Sequence, residues 1–211
     1  MTDRFIELLW RAGATLTGYG SFRTKFAATA VLITIVHFGV KRARGIYRTR
    51  KFRAAAAQKR VQCDAVKQHL KEKLHTDDTV VLQKRDEIVK LSAIDLALAL
   101  KRRHYTAVEV LHAYQAKALE VTERINCVTE FLTEAEQWAN DLDEKGPENA
   151  GCLFGVPVSI KENVDIKGYP STAGQVKFLF PVDKDATIVK TLKLQGAVPF
   201  VKTNVPQSLL W

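Results

Sequence analysis

The 211-residue sequence predicts an α/β fold, a sheet flanked by helices, preceded by an apolar helix and a basic linker. Three observations lead there. Apolar runs at 126–132, 154–160 and 198–201 have strand length, and helical patterns at 106–121, 133–143 and 186–194 stand before or between them. Ser/Thr starts and Gly/Pro stops punctuate the handovers, as alternating helices and strands require. The composition, 46% hydrophobic and 26% charged, is an ordinary globular balance and allows one domain with a sizeable core.

The first element is the apolar run 26–40, FAATAVLITIVHFGV, between Lys25 and Lys41. Fifteen helical residues cover about 22 Å, whereas a hydrocarbon core is about 30 Å thick. The run is short for a span, and Arg23, Lys25, Lys41 and Arg42 are placed to snorkel at its ends. The expected element is a single membrane-anchor helix, following an N-terminal segment of residues 1–25. Residues 41–60 carry nine basic side chains and no acid, and the rest of the chain has 23 basic against 23 acidic residues. The net charge of +9 is therefore one block beside an apolar run. That distribution points to anionic lipid headgroups and excludes a nucleic-acid-binding face, which spreads its charge over a fold with reading residues beside it. The four basic residues of 1–25 against nine in 41–60 place everything after Lys41 in the cytosol, on an endomembrane.

Residues 41–84 are expected to be a basic linker and connector helix. Within it, 54–74 has only a thin apolar stripe, Ala57, Val61, Ala65, Leu70 and Leu74, and a break follows at 75–78. The folded domain is expected over 85–211. Ser92 starts one helix, Thr106-x-x-Glu109 is a capping box for the next, and Thr133-x-x-Glu136 is a second box. Cys63, Cys127 and Cys152 form no CxxC pair and are expected as buried or half-buried thiols; the five histidines make no metal motif.

The chemistry lies in GVPVSIKENVDIKGYPSTAG (155–174), DATIVKTLKLQGAVPFVKTN (185–204) and VPQSL (205–209). Strand alternation sets Val156, Val158 and Ile160 on one face and Pro157, Ser159 and Lys161 on the other, with Lys161 at the strand's C-terminal end. Sites form at such ends in α/β sheets, and a desolvated amine there can act as a base. On spacing alone, a solvated strand-end lysine is the commoner reading. Lys202, Thr203 and Asn204 read as a structural turn fixed by Pro206.

The run around Lys161 resembles the amidase-signature family, whose lysine stands in a G-[IV]-P-[VI]-x-[IVL]-K-[DE] context. Lys202-Thr203-Asn204 is similar to its KTN, and VPQS resembles the fatty acid amide hydrolases within it. The resemblance covers about residues 85–211 and implies a mixed sheet wrapped by helices. It implies a Ser-cisSer-Lys triad in which Lys161 is the base, Glu162 a supporting group, and Ser208 with the Leu209 backbone lie near the substrate's acyl carbonyl. It implies a fatty acid amide substrate reached from membrane lipid, and no metal or cofactor. Ser171 and Ser208 are the only serines after Lys161, and neither sits in a Gly/Ser-rich run. The expectation is that both triad serines are missing and that this chain alone does not complete hydrolysis. A non-enzymatic expectation stands beside it: an inactive, truncated, membrane-bound form that pairs with a full-length subunit through helices 54–74 and 92–121; a homodimer is a further partner expectation. An amidotransferase-like amidase of another subfamily is the third.

Overall fold

The computed structural model describes Glu7, Arg11, residues 22–148 and residues 150–210, with side chains in the first helix described from residue 29 onward. The chain divides into two compact units, 1–53 and 54–211.

In the first unit, helix α1 (Phe22–Leu74) runs through the apolar segment 26–40 and the basic block, and it continues into the second unit. Val31, Ile33, Ile35, Phe38 and Val40 are exposed, as are the basic side chains from Lys41 to Lys51. Among the described residues no helix is long and apolar enough to cross a membrane. The side chains of residues 26–28 and nearly all of the expected segment 1–25 lie outside the described residues.

The second unit begins with the rest of α1. The stripe read as a connector joins the core only at its C-terminal end: Leu70 and Leu74 are buried in one cluster with Ala107, Leu111, Leu119 and Phe131, whereas Ala57, Val61 and Ala65 are exposed. Ion pairs of Lys59 with Glu130, Lys71 with Glu123 and Lys73 with Glu136 flank that contact. The break at 75–78 is present, but the next run is helical from its first residue, α2 (Thr79–Lys90), because Asp78 caps it by accepting from the Val80 amide at 2.9 Å. Helix α3 (Ala93–Lys101) starts at the Ser92 cap. Helix α4 (Ala107–Ile125) starts in the expected box, with Thr106 and Glu109 each accepting from the other's amide, and ends on Asn126 in the left-handed region. Its first turn is also capped from afar: the Asp143 carboxylate accepts from the Ala107 and Val108 amides at 2.7 and 3.1 Å.

Strand β1 (Val128–Phe131) leads to helix α5 (Ala135–Lys145). The second capping box does not form. The Thr133 hydroxyl and amide both meet the Tyr169 hydroxyl, and the Glu136 carboxylate pairs with Lys73 and His112. Strand β2 (Pro157–Lys161), helix α6 (Thr187–Leu194) and strand β3 (Val198–Thr203) complete the layer. The sheet order is β1-β3-β2, antiparallel between β1 and β3 and parallel between β2 and β3. It is the mixed sheet with helical cover that the sequence predicts, with β3 buried at its centre. A second core cluster, Ile88, Leu96, Leu100, Val110, Ala113, Phe154 and Val156, lies among α2, α3, α4 and the approach to β2. Cys63 and Cys127 are half-buried as expected; Cys152 is exposed, held beside Gln195 on a surface turn.

Candidate functional site

The parallel pair β2–β3 brings two strand ends side by side. Ile160 pairs with Lys202 and Lys161 with Thr203, and beyond them the Glu162 amide donates to the Thr203 carbonyl at 2.8 Å. Lys161 stands at the C-terminal end of β2, as the sequence places it, with an exposed side chain. Its amine makes no hydrogen bond or ion pair among the described residues. The alternation holds for Val156 and Ile160, which are buried, and for Ser159 and Lys161, which are exposed; Pro157 is buried as well, and a bulge falls between Val158 and Ser159.

A long excursion, 162–186, separates β2 from α6. Its two arms close on each other through bridges at Lys167–Val182 and Pro170–Pro181. Its base is tied by Asp185, which accepts from the Lys167 amide at 2.7 Å and pairs with Lys193 at 3.0 Å. Burial opposes the ionised Asp185, but these donors prevail and hold its pKa below the ordinary carboxylate value. The tip, 171–175, returns over the strand ends. Ser208 and Leu209, at φ +58° and +60°, form a tight turn after Pro206, both exposed. That turn is seated on the tip: the Ser208 amide donates to the Ala173 carbonyl at 2.7 Å, and Gln175 Nε2 donates to Ser208 Oγ at 2.7 Å. Gly174, at φ +73°, makes the approach possible, because a Cβ there would stand 2.8 Å from the Gln207 Cα.

The structure therefore assembles the strand end that carries Lys161 with the tip of the excursion and the 206–209 turn. Two buried charged groups join them, Lys202 and Glu162. Lys202, read as part of a turn, is inside β3 and almost wholly buried; its Nζ donates to the Pro170 carbonyl at 2.6 Å and to Ser171 Oγ at 3.2 Å. Burial pulls the Lys202 pKa down, and the charges of Glu162, Glu130 and Asp165 oppose that fall. Glu162 is buried too, and its Oε1 accepts from the Thr172 amide at 2.6 Å. The available signal was a lysine directly after the apolar run AVPFV, where a central strand would bury it. A cavity of about 250 Å³ in this unit lies elsewhere, against Lys59, Cys63, Glu130, Phe131 and Tyr169, and touches none of the candidate residues. Tyr169 donates to Glu134 there, and burial first, then the Glu134 carboxylate, push its phenol up to about 12. Among the described residues no group of His, Cys, Asp and Glu is arranged to hold a metal ion.

Residues 109–211 match the family model described as Amidase. The chain is 44% identical over 124 residues to the vitamin D3 hydroxylase-associated protein of Gallus gallus, covering 58% of this chain and 26% of that one. It is 42% identical over 137 residues to fatty acid amide hydrolase 1 of Caenorhabditis elegans, covering 63% and 24%. Among solved structures, a fatty acid amide hydrolase superposes with a TM-score of 0.58 at 28% identity, over 66% of this chain and 24% of that one. The chain spans about a quarter of the length of the curated relatives it matches. The Lys161 strand end and the 206–209 turn both fall inside residues 109–211, the segment that matches the Amidase family model and is similar to fatty acid amide hydrolases.

Proposed function

We propose that this chain carries the base-bearing part of an amide hydrolase that cleaves fatty acid amides to fatty acid and amine at a membrane surface. Lys161 is the proton carrier: its amine takes the proton of a relay serine, which takes that of a second serine hydroxyl as its oxygen attacks the acyl carbon; the proton returns by the same path to the leaving amine, and water then cleaves the acyl-serine ester to the fatty acid. Ser208 and the Leu209 backbone lie along the acyl carbonyl. The observation that carries the reading is the pairing of Lys161 with Thr203 at the end of the parallel strands, inside the amidase-family segment. A base of this kind works where water is excluded, so covering the exposed Lys161 side chain is part of the proposal. The reading requires two serine hydroxyls opposite Lys161, and neither Ser171 nor Ser208 stands in a Gly/Ser-rich run.

The same proposal gives the first unit its role. Exposed Val31, Ile33, Ile35 and Phe38 enter the lipid while the basic block that follows stays at the headgroups, which keeps the catalytic part beside its substrate's source.

The test uses the longest reading frame that contains these residues, expressed in cells. Amine release from an N-acylethanolamine is expected, and Lys161→Ala is expected to lower it by about 10³-fold or more. A Lys161→Ala protein with the parent's rate refutes the assignment. Pelleting with membranes should survive high salt; release by salt alone would reduce the first unit to an electrostatic arm.

A further inference from the structure

We propose that Lys202 and Glu162 are positioning residues for this site: they clamp the 170–172 backbone and thereby fix where the 206–209 turn stands relative to Lys161. The proposal rests on the amide-hydrolase reading above for its catalytic consequence, and on the geometry alone for the clamp.

Lys202 is 1% exposed and Glu162 7%. Removing two charges from water is expensive, and a well-packed apolar pair is often as stable or more so. Their retention at this place therefore calls for a task beyond adding stability. Each spends its contacts on the same short stretch of chain. Lys202 Nζ holds the Pro170 carbonyl and Ser171 Oγ, and Glu162 Oε1 holds the Thr172 amide, so three consecutive residues are gripped by groups rooted at the two strand ends. Glu162 Oε2 is buried and has no partner among the described residues. The carboxylate is thus held by its Thr172 bond and by the nearby Lys202 charge, not by a complete set of donors.

The grip passes directly to the turn. The residue after Thr172 is Ala173, whose carbonyl accepts from the Ser208 amide; two further on, Gln175 donates to Ser208 Oγ. Between them Gly174 lets the turn approach closely, since a Cβ there would stand 2.8 Å from the Gln207 Cα. The path from strand end to tip to turn is two hydrogen-bonded steps long. No hydrogen bond or ion pair joins Lys202 or Glu162 to Lys161, Ser208 or Leu209 side chains among the described residues, so they act through the loop.

The experiment has two arms. In this chain, amide exchange followed by NMR is measured for Lys202→Met, Glu162→Ala, Glu162→Gln and the Lys202→Met/Glu162→Gln double variant. Loss of a charge-assisted bond is expected to speed exchange at the Thr172 and Ser208 amides about ten- to a hundredfold, while the Leu132 and Val198 amides keep their protection. Glu162→Gln keeps an acceptor for Thr172 and is expected to recover most of what Glu162→Ala loses. Exchange that rises uniformly over the unit, or not at all, overturns the clamp. In the longest reading frame with amide-hydrolase activity, Lys202→Met is expected to lower kcat about ten- to a hundredfold with KM within about threefold, as misplacement of a site does. Loosened tip amides with an unchanged kcat overturn the positioning role. A Lys161→Ala control that stays active overturns the proposed function instead and leaves the clamp to be decided by exchange.

Discussion

Replacing Gly174 by alanine separates two costs that a second glycine lets one measure apart. Gly168 and Gly174 lie on the same excursion, both in the left-handed region, at φ +86° and +73°. An L-residue there costs about 1–2 kcal/mol. A Cβ at Gly168 meets nothing within 4 Å, so Gly168→Ala should show that backbone cost alone. A Cβ at Gly174 also meets the Gln207 Cα at 2.8 Å and the Gln207 nitrogen and Pro206 carbonyl oxygen at 3.1 Å. Something must move. Forcing the contact to persist costs about 1–3 kcal/mol. Lifting the exposed 206–209 turn instead breaks two hydrogen bonds, the Ser208 amide to Ala173 and Gln175 to Ser208 Oγ, each about 1 kcal/mol net.

The turn is therefore expected to give way. Gly168→Ala should lose about 1–2 kcal/mol in urea unfolding, and Gly174→Ala about 2 kcal/mol more, for the two hydrogen bonds that the turn gives up. Only Gly174→Ala should also speed exchange of the Ser208 amide, by about tenfold or more. In an active form it should lower kcat, and Gly168→Ala should not. Equal Ser208 exchange in the two variants would refute the claim that the tip seats the turn.

Two further outcomes follow from the helices that carry the sheet. Asp143→Ala removes the acceptor for two orphan amides at the start of α4, and urea unfolding should register a loss of about 2 kcal/mol, against about 1 for Thr106→Ala; equal losses would deny the long-range cap its weight. His112, half-buried on α4, faces Glu136, with Lys73 and Arg85 near; burial lowers its pKa from 6.5, assisted by the Lys73 and Arg85 charges, and only Glu136 opposes. The unfolded chain then binds the proton more readily than the folded one, so stability is full above pH 6.5 and falls as the pH drops below it. His112→Gln should flatten that decline between about pH 6.5 and 5, above the carboxylate range, and an unchanged slope would refute it.

The sequence carried the local half of this fold. Thr106 and Glu109 form their box because both partners lie within one turn, and the Lys84 amine takes only Glu109 Oε1, leaving Oε2 for the Thr106 amide. Thr133 and Glu136 have the same spacing and fail, because Tyr169, some 35 residues on, occupies the threonine and α1 supplies Lys73 to the glutamate. A cap motif states what a segment can do, and distant partners decide whether it does. Leu70 and Leu74 were misread for the same reason: the stripe is thin, and only the neighbouring surfaces of α4 and β1 show that it is enough to join the core. Lys161 and the 206–209 turn were legible as single positions. The excursion that seats that turn beside β3 was not, since it depends on bridges between residues 167–170 and 181–182 that no short pattern encodes.

The two lysines at the strand ends show most directly what register adds to pattern. Residues paired across neighbouring strands share a face of the sheet, and successive residues alternate. Lys202 pairs with Ile160 and both are buried; Lys161 pairs with Thr203 on the opposite face, at the end of the sheet, and is exposed. A slip of one residue between β2 and β3 would turn the GVPVSIK lysine toward the core, while Lys202 would stay inside the central strand, paired with Glu130 of β1. The bulge between Val158 and Ser159 sets that offset, because Val158 pairs with Pro199 whereas Ser159 pairs with Val201. Pro199 cannot donate to a neighbouring strand, which makes it a natural place for the ladder to skip. The exposure of the lysine proposed for proton transfer, beside a buried one proposed to hold the loop, thus traces to one irregularity two residues before Lys161.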